Sequence, residues 1–84
     1  MNIFIGNLSL NAIEVDLKRL FSPFGEINSV LLLRDKWSNR PKGSAVIDMP
    51  NAQQAELAIN KLHKTSFGGK IISVTSTSYE EGYR

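Results

Sequence analysis

Arg34, Lys36, Arg40 and Lys42 stand within residues 34–42 against one acid, Asp35, with Trp37 among them. Cationic side chains this close form a local positive patch. The chemistry open to such a patch is the holding of phosphate oxygens, an attraction that acts over about 8 Å at physiological salt. The bland alternative is a solvated hairpin end. The rest of the chain adds little charge: ten Lys/Arg stand against eight Asp/Glu, a formal +2, and Glu80 and Glu81 lie in the tail. Trp37 either meets a ligand or covers the backbone of its own loop, since an exposed tryptophan without a partner is uncommon. Catalysis has little to draw on. His63 is the single histidine and there is no cysteine, so no nucleophile–base pair and no imidazole or thiolate ligand set is apparent. The expectation is a protein that is not an enzyme and carries no metal or cofactor.

The elements that must hold these residues can be read from the hydrophobic period. Residues 2–6 alternate as a strand and end at the turn-favouring pair Gly6-Asn7. Ile13, Leu17, Leu20, Phe21 and Phe24 form one stripe of a helix over about 13–22, with Asn11 as N-cap and Pro23 and Gly25 as its end. A second strand, Ile27–Asp35, directs Val30 and Leu32 to the core and Ser29, Leu31 and Leu33 to the opposite face. Residues 35–42 form a loop with Ser38-Asn39 at its tip, where Asn39 can accept positive φ. The third strand spans 43–49, with Ala45, Ile47 and Met49 alternating with Ser44, Val46 and Asp48. Asn51 caps a helix over about 52–62 with Gln54 at the capping-box position, and Ala55, Leu57, Ala58, Ile59 and Leu62 supply its buried side. His63 ends that helix. Gly68-Gly69 then turns the chain into a last strand, Lys70–Thr77, with Ile72 and Val74 inward.

The order β-α-β-β-α-β predicts an α+β, ferredoxin-like architecture: a four-stranded antiparallel sheet with both helices on one face and the other face open. Eighty-four residues make one domain, assigned to 1–78, with 79–84 as a short tail. Without disulfides, the 42% hydrophobic content must build the core by packing alone. No basic, apolar leader and no apolar run of about 18 residues appears, so the expectation is a soluble, cytoplasmic protein with no membrane contact.

On the open face the alternation places Asn2 and Phe4, Leu31 and Leu33, Ser44, Val46 and Asp48, and Ser73 and Thr75. Two stretches there, Ile3-Phe-Ile-Gly-Asn-Leu8 and Lys42-Gly-Ser-Ala-Val-Ile-Asp-Met49, resemble the paired hexamer and octamer of the RNA recognition motif family. Gly25-Glu26-Ile27 and the Ala-rich second helix fall in the same frame. The resemblance spans residues 2–77 and extends to bacterial single-domain RNA-binding proteins. It implies single-stranded RNA laid across the sheet, with Phe4 stacking an unpaired base and Lys42 on a phosphate. The octamer's two aromatic positions fall on Ser44 and Val46, which cannot stack. Three sets of residues could substitute: an aliphatic floor of Leu31, Leu33 and Val46, the basic loop with Lys36, Trp37 and Arg40, and Tyr79 and Tyr83 folding back from the tail. Asp48 would oppose phosphate. Ser73, Thr75 and Asn2 complete the expected face. Binding should be modest in affinity, salt-dependent and weakly specific. The rival expectation is a protein-contact or self-association domain using Phe4, Leu31, Leu33 and Val46 as an apolar patch.

Overall fold

The computed structural model describes residues 1–77. They run in the order β1 (Asn2–Gly6), α1 (Glu14–Phe21) with a 3-10 turn at Ser22–Phe24, β2 (Ser29–Arg34) and β3 (Pro41–Asp48). Then come α2 (Ala52–Leu62), β4 (Ser66–Phe67), β5 (Lys70–Ile71) and β6 (Ser73–Thr77). The main sheet has the order β2-β3-β1-β6, every pair antiparallel. The ferredoxin-like expectation is met.

β1 sits between β3 and β6 and turns one wholly apolar face to the core. Ile3 and Ile5 are fully buried and join Ala45 and Ile47 of β3, Met49 just beyond it, and Ile72 and Val74 at the C-terminal strand. Leu17 and Phe21 of α1 and Ala55, Ala58 and Leu62 of α2 close the same core from above. Each fully buried Ile, Leu or Phe contributes about 1.5–3 kcal/mol. Leu57, expected on this side, is exposed. It lies two residues from Ala55, about 200° around a helix of 3.6 residues per turn, and therefore faces away.

The helix starts differ from expectation in an instructive way. Asn11 does not cap α1; its backbone N–H donates to Ser9 Oγ at 3.2 Å. Ile13 occupies the cap position in extended conformation and has no side-chain acceptor to offer. Asp16 compensates, its carboxylate accepting the Ile13 N–H at 3.2 Å. Ile13 thus leaves the apolar stripe and is 54% exposed. Asn51 does cap α2, accepting from the Gln54 N–H at 3.0 Å. The Gln54 side chain does not complete a capping box. It reaches across to accept the Glu26 N–H at 3.3 Å and fills the space over Gly25, where any Cβ would lie 2.0 Å from Gln54 Oε1.

The last strand divides. Gly68 and Gly69, both at positive φ, make a two-residue hairpin turn that pairs β4 with β5. Past Ile72 the chain crosses to pair with β1 as β6. His63 has more than a terminal role, because its Nδ1 accepts the Val74 N–H at 2.9 Å. That bond ties the end of α2 to the outer edge of β6 and satisfies a donor that an edge strand leaves unpaired.

Candidate nucleic-acid interface

The strand registers decide which side chains of the open face meet. Leu31 pairs with Val46, Val46 with Phe4 and Phe4 with Thr75, a row running straight across all four strands. A parallel row carries Ser29, Asp48, Asn2 and Thr77. On the other side of Phe4, Gly6 pairs with Ser73, and Ser44 stands two residues before Val46 on β3. The structure therefore brings together Asn2, Phe4, Leu31, Ser44, Val46, Ser73 and Thr75 as expected.

Phe4 is half-buried and its ring leans over Gly6. A Cβ at Gly6 would sit 3.3 Å from Phe4 Cε2 and 2.8 Å from Ser73 Oγ, so the absent side chain makes room for the ring. Val46 corrects the sequence reading. It faces the open side but is only 5% exposed, between Leu31 and Phe4 in the row. It packs under its neighbours and does not offer itself as a floor. Leu31 and Leu33 remain partly accessible.

β3 begins earlier than expected, at Pro41 within the expected loop, and its pairing with β2 shifts at Gly43. Leu32 pairs with Ala45 but Arg34 pairs with Pro41, so three residues of β3 stand opposite Leu33 alone. Gly43 takes φ +79° and its carbonyl accepts the Leu8 N–H at 2.8 Å; a Cβ there would come within 3.1 Å of Leu8 O. Such a bulge re-aims the strand. Lys42 is exposed, and its positive charge adds a small lowering to the Asp35 carboxyl.

Asp35 is the residue that sequence reasoning undervalued. Its Oδ1 accepts the N–H groups of Trp37 at 2.8 Å and Ser38 at 3.0 Å, while its backbone N–H donates to Arg40 O at 2.8 Å. Its backbone carbonyl takes the Asn39 N–H at 2.7 Å, with Asn39 at the expected positive φ. The Ser38 and Trp37 N–H groups, with smaller help from the Ser38 side chain and the Lys42 ammonium, hold the Asp35 carboxyl below its ordinary range. The signal was present as an acid preceding Trp37 and Ser38 in a short loop, the pattern of an Asx turn. Arg34 Nη1 donates to Asn39 O at 3.5 Å. Trp37 is 88% exposed, so it does not cover the loop backbone, and the Lys36 ammonium lies 5.5 Å from its ring centroid. Lys36, Arg40 and Lys42 are exposed around it.

Asp48 is engaged, not bare. Asn28 Nδ2 donates to it at 2.9 Å and the α-amino group of Met1 lies 3.6 Å away. Asn28 was not anticipated, because its partner is 20 residues away. Tyr79 and Tyr83 lie outside the described residues. Among the described residues no group of His, Cys, Asp and Glu could hold a metal ion, and no helix is long and apolar enough to cross a membrane.

With this geometry in hand, the likeness to known proteins is specific. The profile of the RNA recognition motif matches residues 3–73. The chain is 34% identical over 84 residues to RbpD of the cyanobacterium Nostoc sp., provisionally named an RNA-binding protein, covering 100% of this chain and 89% of RbpD. The crystal structure of RNA Binding Protein PG1 superposes with a TM-score of 0.90 at 29% identity, over 95% of this chain and 96% of that one. The Sxl-lethal protein/RNA complex gives 0.83 at 28% identity, over 90% of this chain and 47% of its counterpart. A hexamer strand and an octamer strand paired side by side, in a chain matched along most of its length, make this protein a member of the RNA recognition motif family.

Proposed function

We propose that this protein binds single-stranded RNA across the open face of its sheet, with modest, salt-dependent and weakly sequence-specific affinity. The observation that carries the reading is the Leu31–Val46–Phe4–Thr75 row with the Phe4 ring lying over Gly6. A flat ring held above a bare backbone, on the face opposite both helices, suits an unpaired base. The basic hairpin continues from the same sheet through β2 and β3 and supplies Lys36, Arg40 and Lys42 for phosphates. Membership of the family, the provisional naming of RbpD and the RNA complex of the Sxl-lethal protein support it.

Modest affinity follows from the inventory. Aromatic stacking contributes about 1–3 kcal/mol per base, and Ser44 and Val46 provide none where the family's octamer places two aromatics. Ser44, Ser73, Thr75 and Asn2 leave hydrogen-bonding groups on the face, too few to read a long sequence. A protein or second copy docking here would find a narrower apolar surface than the composition promised, because Val46 is covered.

An amide-resolved NMR titration with a randomised short single-stranded RNA at two salt concentrations tests the proposal. Shifts at Phe4, β3 and residues 34–42 that weaken as salt rises are expected, and Phe4→Ala should cost about 1–3 kcal/mol of binding. Silence across the sheet at millimolar RNA, or an unchanged affinity in Phe4→Ala, would overturn it. Concentration-dependent mass by light scattering with a silent sheet would favour self-association instead.

A further inference from the structure

We propose that His63 is a proton-sensitive latch behind the open face, closed while its imidazole is neutral and opened when Nδ1 takes a proton. The proposal rests on RNA binding at the sheet and adds to it a control exerted from the helical side.

Hydrogen bonds join the end of α2 to the last part of the chain. Lys64 N–H donates to Ile72 O at 2.9 Å and Ile72 N–H to Thr65 O at 3.0 Å, backbone to backbone. One step further on, the acceptor is a side chain: Val74 N–H donates to His63 Nδ1 at 2.9 Å, partly buried. Only an unprotonated ring nitrogen can accept. Both nitrogens of an imidazolium are donors, so no turn of the ring restores the bond. Imidazole is also the side chain whose charge ordinarily changes between about pH 5 and 8, and His63 is the one histidine of the chain.

No ion pair stands ready to replace the lost bond. Lys61 and Lys64 flank His63, Lys70 lies on β5, and Glu56 is about two turns earlier on α2. β1, β6 and the 3-10 turn carry no titratable side chain, and among the described residues no carboxylate pairs with the ring.

The bond bears on RNA because of the peptide it holds. Val74 N–H belongs to the peptide that joins Ser73 to Val74, and the Val74 side chain is fully buried. Successive residues of a strand point to opposite faces, so Ser73 and Thr75 on either side of it lie on the open face. Ser73 pairs with Gly6 and Thr75 with Phe4, the residues that form the stacking platform. An opened latch therefore loosens the strand that borders Phe4. The backbone bonds at Ile72 remain, because neither partner titrates.

The parent, His63→Asn and His63→Ala are compared from about pH 8 to about pH 5.5. Asn offers a carbonyl oxygen near the place of Nδ1 and takes no proton there; Ala offers no acceptor at any pH. Amide shifts and exchange are read without RNA, then affinity for a randomised ten-nucleotide RNA with hydroxyl ends at fixed salt. In the parent, acidification should shift Val74 and lower its protection relative to Ile72, with Ser73 and Thr75 following. Affinity should fall about two- to five-fold, the ratio that one net hydrogen bond supplies. His63→Asn should keep the higher affinity throughout and His63→Ala the lower, with the parent passing from one to the other. A Val74 amide that follows pH equally in the parent and His63→Asn would overturn the latch. Val74 moving while the parent's affinity stays as flat as that of His63→Asn would overturn its control of RNA and leave the sheet reading in place. No affinity in any of the three proteins at any pH would overturn the sheet reading, and the control with it.

Discussion

Two single residues shape the open face and the hairpin beside it, and neither is a binding group. Gly6 is one. Its missing side chain leaves the space into which the Phe4 ring leans, with Ser73 Oγ on the other side. Gly6→Val should push the ring aside and weaken RNA binding about as much as Phe4→Ala does, roughly 1–3 kcal/mol. A changed Phe4 ring environment by NMR in the folded variant would verify the cause. Asp35 is the other. Its folded carboxyl is held below the ordinary value of 3.8, so the stabilisation it gives the loop is present above that pH and is lost as pH falls through the lower folded value. Acidification through that lower folded value should therefore release the Trp37 and Ser38 amides while the sheet amides hold. A pH series of amide shifts measures this, and coincident loss of loop and sheet would contradict it.

Among the elements, the edge formed by β6 depends on a contact from outside the sheet. His63 Nδ1 accepts the Val74 N–H, which fixes the imidazole proton on Nε2 and docks the end of α2 against the strand. His63→Ala should lower stability by about 0.5–1.5 kcal/mol, the net worth of a hydrogen bond. It should also speed amide exchange at Val74 more than at its sheet neighbours. Denaturant midpoints and hydrogen exchange read the two effects separately. The helices and strands themselves were largely legible: α2 was expected over 52–62 and spans Ala52–Leu62, because a capping Asn51 precedes an unbroken apolar period. α1 was less so. Its apolar stripe begins with Ile13, yet an isoleucine cannot cap, and the helix opens only after Asp16 has taken the Ile13 N–H.

For the whole molecule the arrangement of charge matters more than its sum. A net +2 gives little long-range steering, but Lys36, Arg40 and Lys42 are exposed together on one hairpin. With three phosphates neutralised, log K should fall with log salt at a slope of about −2, and each single Ala substitution should reduce the slope by about 0.7. Affinity measured across a salt series checks both numbers. A slope near zero would mean that the hairpin cations touch no phosphate, leaving the sheet to bind by stacking alone.

The sequence by itself determined the architecture and most of the face. Period-two alternation in Ile3–Ile5 and Ser44–Met49 forces one side inward, and the same alternation places Phe4, Ser44 and Thr75 on the other. These are local facts, carried by the pleat of each strand. The missing octamer aromatics were equally plain. What only the tertiary structure decided are the relations between strands and loops. Val46 faces outward but is covered, since its exposure depends on the partners Phe4 and Leu31 that register puts beside it. The β2–β3 register shifts around Gly43, whose carbonyl is taken by the Leu8 N–H from another part of the chain. Asp35 becomes the anchor of its loop, and His63 the clasp of β6, through hydrogen bonds whose partners the hydrophobic period does not register. Periodicity records which side of an element is buried; it holds no information on which neighbour lies across from it.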